Sequence, residues 1–195
     1  MTTGRPREFD TNQALAAAMH QFWQQGYTAT SLQDLLKAMQ ISKSSFYQTF
    51  GSKHALFQRC MEHYRNTLED SMLAHLQKSP SARQFIDATF RAISDNGQDG
   101  DGQFGCLIMN TASEFAQDDP VVAKLVRTGT EKIHTVFLHA IKRAQADGEI
   151  PGDKNPEALA SYLLSSMGGL RTMAKAGTAR KTLEEIVKIT LSALD

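Results

Sequence analysis

Cysteine is scarce in this chain. Two in 195 residues, Cys60 and Cys106, are too few for a disulfide framework. Long apolar runs are also missing, and no stretch approaches the roughly 20 residues that a membrane helix needs. The N-terminus lacks the apolar segment of a secretory leader, so a cytoplasmic protein is expected. Neither sign of charge is in excess, with 21 Lys and Arg against 21 Asp and Glu. Composition alone therefore does not point to nucleic acid. No segment alternates as a convincing strand, and no internal repeat is visible. The length allows one or two domains with a real core.

The charge balance hides an asymmetry. Residues 1–60 carry six Lys and Arg against three Asp and Glu, a net of +3, and the remaining fifteen against eighteen give −3. A polyanion would be favoured at one end only. That end also holds the most structured pattern in the chain, from Gly26 to Phe57. Thr30 or Ser31 can cap a helix, with Asp34 three residues on as a weak capping box. Leu32, Leu35, Leu36 and Met39 then recur at the spacing of one helix face. After a short polar turn Ser42 can cap a second helix, whose inward face is Phe46 and Phe50. Lys43, Ser44, Ser45, Tyr47, Gln48 and Thr49 are left to face outward. These residue types reach phosphates and base edges. Lys53 opens the next helix, near where a phosphate would lie. The pattern is a helix-turn-helix whose second helix suits a DNA major groove.

These residues resemble the N-terminal domain of the TetR/AcrR family of one-component transcriptional regulators. The family pattern is met by Gly26-Tyr27, Thr30-Ser31, Leu32 to Met39, Ile41-Ser42-Lys43 and Tyr47 to Lys53. About a quarter of the chain is covered, with every part in order. Two positions depart from the pattern. Gln40 stands where the turn usually has glycine, so it must adopt a left-handed conformation costing about 1 kcal/mol. Ser44 also replaces a usual glycine, which alters base preference and not the fold. The preceding helix, Asp10 to Gln25, carries Leu15, Ala18, Met19 and Phe22 on one face and completes a three-helix domain. Ahead of it, Arg5 and Arg7 form a short arm that either enters a minor groove or is simply solvated. Phosphate anchoring is expected from Thr30, Ser31, Tyr47 and Lys53.

Past Lys53 the chain reads as helix after helix. A long one runs to about Lys78, with Cys60 on its apolar face. Others are expected at Ala82 to Ile93, Gly105 to Phe115, and from Pro120, capped by Asp118 or Asp119, to before Gly148. Pro156 to Ala176 is next, and Thr182 is expected to cap a last helix to Leu194. Three motifs fail. Gly100 to Gly105 spells a dinucleotide-binding pattern, but a helix and not a strand precedes it. Asp95, Asp99 and Asp101 have the wrong spacing for a calcium loop. His134 and His139 are five apart, which does not place both on one metal. No nucleophile pairs with a base, so no enzyme, cofactor or metal site is expected.

Ala158 to Ala176 mixes Leu163, Met167 and Leu170 with small residues, including two internal glycines that need a packing reason. The family resemblance implies that the last two helices pair with their copies, through Leu163, Met167, Leu170, Ile186 and Ile189. Packing within one subunit is the alternative. Cys106 follows a glycine-rich loop and is expected to be accessible, in the first turn of its helix. Its placement also resembles a TetR/AcrR subgroup that senses electrophiles and oxidants, with Lys175 as the basic residue expected nearby. A small buried residue beside Leu107, Ile108 and Met109 is the bland alternative. The reading is an all-α protein: a three-helix DNA-binding domain over 1–53 and a regulatory and dimerisation domain over 54–195. It is a homodimeric repressor on double-stranded palindromic DNA, with no membrane role. The signal is a small-molecule effector or, alternatively, covalent modification of Cys106.

Overall fold

The computed structural model describes residues 9–97, 99–115 and 119–195. Arg5, Arg7 and Asp118 lie outside the described residues. Every long element described is helical: α1 (Thr11–Gln25), α2 (Leu32–Met39), α3 (Lys43–Phe50), α4 (Lys53–Lys78), α5 (Ala82–Asn96), α6 (Leu107–Phe115), α7 (Pro120–Ala146), α8 (Pro156–Lys175) and α9 (Arg180–Ser192). A short 3₁₀ helix spans Gly100–Phe104. The chain forms two compact units that divide inside α4, between Tyr64 and Arg65. The first twelve residues of α4, Lys53 to Tyr64, thus cluster with the N-terminal unit, beyond the boundary expected at residue 53.

In the first unit each helix start is made by a side chain. Asp10 accepts from the N–H groups of Asn12 and Gln13 at 2.8 and 3.2 Å. Ser31 and Asp34 form a full capping box at α2, and the Ser31 hydroxyl and N–H hold the Asp34 carboxyl below the ordinary carboxylate range. The Ser42 hydroxyl accepts from Ser45 N–H at 3.1 Å, and that of Ser52 from Ala55 N–H at 3.0 Å. Between α2 and α3, Gln40 sits at φ 56°, ψ 38°, the left-handed region, with its N–H directed at Leu36 O and Lys37 O. Among the described residues it is the only non-glycine with positive φ. The core joins Ala14, Leu15, Ala18 and Phe22 of α1 to Leu35, Met39, Phe46, Phe50, Leu56, Phe57 and Cys60, with Met19 only half-buried. Phe22 meets Phe57 edge-on at 5.0 Å, and Tyr27 lies 4.9 Å from Phe57.

The second unit packs around α7. Helices α5, α6 and α8 lie against it, and α9 packs on α5 and α8. Phe85, Ile86 and Phe90 of α5 are buried, with Phe90 and Phe137 centroids 6.0 Å apart. Gly129 permits a close approach of α6 to α7: a Cβ there would lie 2.8 Å from Ile108 Cδ1. Proline opens α7 and α8, capped by Asp119 and Asn155. Three expected bounds shift. Helix α5 continues to Asn96, because the polar residues after Ile93 carry no backbone breaker. Helix α6 starts at Leu107, since Gly105 at φ 74° turns the chain first. Helix α9 starts at Arg180, so Thr182 lies inside it and is not its cap. Ala179 takes the cap position without any side-chain bond.

Gln40→Gly should raise stability by about 0.5–1 kcal/mol, since glycine adopts φ 56° without the Cβ clash. A higher urea midpoint at unchanged slope is the expected readout. An unchanged or lower midpoint would mean that the strain is absent.

Candidate nucleic-acid interface and effector region

Burial of Phe46 and Phe50 sets the rotation of α3. Their rings, 6.0 Å apart, each contribute about 2–3 kcal/mol of apolar burial and turn the opposite face outward. Lys43, Ser44, Tyr47 and Gln48 are exposed there, Tyr47 by 48%, while Ser45 and Thr49 are half-buried. The Ser45 hydroxyl is 2.9 Å from that of Ser42, so part of its hydrogen-bonding capacity is used at the cap. At the start of α4, Lys53 Nζ stands 4.3 Å from the centroid of the Tyr27 ring. Tyr27 is anchored in turn by Phe22 and Phe57, so the aromatic core of the unit fixes where this ammonium sits.

Two expectations at this surface need separating. Ser31 is exposed, with its hydroxyl in the capping box, and stays at the surface. Thr30 does not. It is fully buried, and its hydroxyl donates to Gly26 O at 2.6 Å. A threonine hydroxyl in a tight turn satisfies a local carbonyl more readily than a distant phosphate. The Thr30 side chain is a turn clamp, and its expected phosphate contact is corrected. Sequence reading missed Arg59. Its Nη1 donates to Thr49 O at 3.2 Å, and its guanidinium carbon lies 4.9 Å from the Phe50 ring centroid. Nothing local in sequence announces that contact, ten residues away.

In the second unit, Cys106 precedes α6 and its carbonyl accepts from Asn110 N–H at 2.8 Å. The expected accessibility is corrected: Cys106 is 3% exposed, and it stands before the first turn. The cause is Gly105, whose left-handed turn folds the chain under α8. A Cβ on Gly105 would lie 3.3 Å from Lys175 Cδ and 3.5 Å from Arg171 O. The Lys175 stem therefore covers the residue next to Cys106. Cys60, in the first unit, is fully buried, lies 3.8 Å from Leu15 O, and has its thiol pushed up by desolvation. Neither cysteine is in a disulfide.

Helix α8 carries two stripes. Leu163, Met167 and Leu170 are buried in their own subunit, so their expected place in a dimer interface is corrected. Hydrophobic periodicity marked the inward stripe. The outward one mixes Tyr162 and Met173 with Ser165 and Gly169, and a Cβ on Gly169 would meet nothing within 4 Å. On α9, Ile186 is half-buried and Ile189 is 69% exposed. An open cavity of about 440 Å³ lies between α6 and α8, where Met109, Leu164 and Gly169 alternate with the hydroxyls of Ser113, Ser165 and Thr172. Among the described residues no group of three or more His, Cys, Asp or Glu could hold a metal ion, and no helix is long and apolar enough to cross a membrane.

Two family models match this geometry. Residues 14–60 match the bacterial regulatory proteins of the tetR family, and residues 82–190 match the tetracyclin repressor-like C-terminal domain. The chain belongs to the tetR family. It is a DNA-binding transcriptional regulator, and the family is one of regulators and not of enzymes. The HTH-type transcriptional regulator YezE of Bacillus subtilis (strain 168) is 33% identical over 193 residues, spanning 98% of this tetR-family chain and all of that protein. The HTH-type transcriptional repressor ComR of Escherichia coli (strain K12) is 29% identical, covering 96% and 90%. Among solved structures, a cysteine mutant of the tetR-family regulator CifR, complexed with 26-bp double-strand operator DNA, superposes with a TM-score of 0.86 at 30% identity, covering 98% and 100%. The reduced form of NemR from Escherichia coli shares the fold, at TM-score 0.83 and 20% identity over 94% and 95%.

Proposed function

We propose that this regulator is a homodimeric repressor that reads a near-palindromic operator with the outward face of α3 and releases it when a small molecule binds the second unit. The observation that carries the reading is the exposure of Lys43, Ser44, Tyr47 and Gln48 on a helix pinned by Phe46 and Phe50. Ser45 and Thr49 sit at the margin of this face, and Ser31, Tyr47 and Lys53 serve as phosphate anchors. Arg5 and Arg7 would reach an adjacent minor groove. The CifR complex on operator DNA and the repressor name of ComR support the same assignment. Two half-sites are needed because one short helix offers few base contacts, and two-fold symmetry then implies a palindrome.

The dimer surface proposed is the outward stripe of α8 with Ile186 and Ile189, an apolar face with small residues that let helices approach closely. A partner seated there would also cover the cavity between α6 and α8, so a ligand in it would bias the pairing. The dimer would present two α3 helices on one side of the duplex. A cytoplasmic setting follows from the DNA-binding role.

Lys53→Ala should weaken binding to operator and to unrelated DNA alike, and reduce the salt slope by about 0.9, the share of one phosphate contact. Gln48→Ala should instead change which base is preferred. Wild-type affinity and slope in a Tyr47→Ala, Lys53→Ala double variant would refute this surface. Ile189→Glu should yield a folded monomer by light scattering at micromolar concentration, with operator binding lost in parallel. A monomeric wild type would end the dimer assignment.

A second reading concerns the signal. Lys175 covers the residue beside Cys106, and the thiol stands at the head of α6, where an electrophile adding to sulfur would push on that helix. The operator complex of CifR was solved with a cysteine mutant. Under this reading a quinone or mild oxidant abolishes operator binding by wild type and by Cys60→Ser, while Cys106→Ser binds and ignores the treatment. Equal release of wild type and Cys106→Ser would leave the non-covalent ligand as the signal.

A further inference from the structure

Helix α3 has only eight residues, too few to be stable or well oriented alone. Its N-terminus is capped by Ser42, and its C-terminus has a different problem. Gly51, at φ 76°, turns the chain off the axis, so its N–H closes on Tyr47 O and that of Ser52 on Phe50 O. The last carbonyls of a helix lose their own N–H partners and carry the negative end of its dipole. Arg59 supplies a donor there. Its Nη1 donates to Thr49 O at 3.2 Å while the same guanidinium lies 4.9 Å from the Phe50 centroid. One side chain thus holds the final backbone turn of α3 and the apolar ring that sets its rotation. The backbone that carries this exposed side chain is held in place, since the adjacent Phe57 and Cys60 of α4 are buried.

We propose that Arg59 is a positioning residue for operator recognition: it clamps the C-terminal turn of α3 and so fixes the aim of the reading face without touching DNA. The planar guanidinium suits the task better than an ammonium would. It can donate in its plane to a carbonyl while its face lies on an aromatic ring. The inference rests on α3 being the reading helix.

The test compares Arg59→Ala, Arg59→Lys and Gln48→Ala with wild type on operator and on unrelated duplex DNA, over a range of salt, below the onset of melting. Arg59→Ala should weaken operator binding about tenfold, the worth of one charge-assisted hydrogen bond. Binding to unrelated DNA and the salt slope should stay as in wild type. Arg59→Lys should recover part of the loss, keeping the donor and losing the planar face. A slope reduced by about 0.9, with both DNAs weakened equally, would make Arg59 a phosphate contact and overturn the proposal. So would a loss that merely tracks the unfolded fraction, or operator affinity within twofold of wild type. Gln48→Ala separates the two levels. If it leaves base preference unchanged, α3 is not the reader and both conclusions fall. If it changes base preference while Arg59→Ala binds like wild type, only the role of Arg59 falls.

Discussion

The first unit depends on one constraint: Phe46 and Phe50 must both be buried from a helix of eight residues. Two rings four residues apart leave a single rotation that buries both. That rotation determines which side chains face outward, so the proposed reading face is specified by apolar packing before any polar residue is chosen. The ends matter because the helix is short. Ser42 satisfies the first turn, and Gly51 with Arg59 closes the last. The strained Gln40 belongs to the same constraint. A left-handed residue is needed to turn α2 into α3 in so few positions, and that geometry is kept although the side chain does not suit it.

In the second unit α6 is seated by close packing at three glycines. Ile108 presses on α7 at Gly129, and Met109 touches α8 at Gly168, where a Cβ would lie 3.4 Å from Met109 Cε. Gly105 then brings the chain beneath the Lys175 stem. Three positions without a Cβ hold one short helix and its lead-in. Such packing is bistable more readily than it is soft, because a close-packed seat is either filled or vacated. A group added at the head of α6, or a ligand in the cavity beside it, would act on the same element. The two proposed signals would therefore share one output and differ only in how the helix is displaced.

Much of this was legible because it is local. Ser31 and Ser42 mark helix starts through bonds that span three residues, and Pro120 and Pro156 through their fixed φ at the first turn. The left-handed Gln40 was legible from the family resemblance, whose turn usually carries glycine at that position. What failed was relational. Thr30 can cap a helix or clamp a turn, and only the burial of its side chain decides. Helix α9 begins at Arg180, after Ala179, which has no capping group to reveal the start. Helix α8 serves its own core and an outer surface, and hydrophobicity marks the stronger stripe. Leu163, Met167 and Leu170 therefore drew attention although they belong to the subunit's own core, while Tyr162, Gly169 and Met173 are the exposed residues. Arg59 was invisible for the same reason, since its partners are set by the path from α3 into α4.

The neutral charge of the chain follows a similar logic. A DNA-binding surface needs local positive potential, not a basic protein. Among the described residues, Asp10 and Asp34 are the acidic groups of the first sixty, and both serve as caps at helix N-termini. Their charge is directed at backbone N–H groups carrying the positive end of a helix dipole, where it is largely offset. Lys43 lies on the outward face of α3, and Lys53 is held over Tyr27 at the start of α4. The acids stabilise the scaffold while these cations stand at the proposed DNA face. The surplus of +3 in this segment therefore understates the field a phosphate backbone would meet, and an isoelectric point near neutrality says little about the ability to bind DNA.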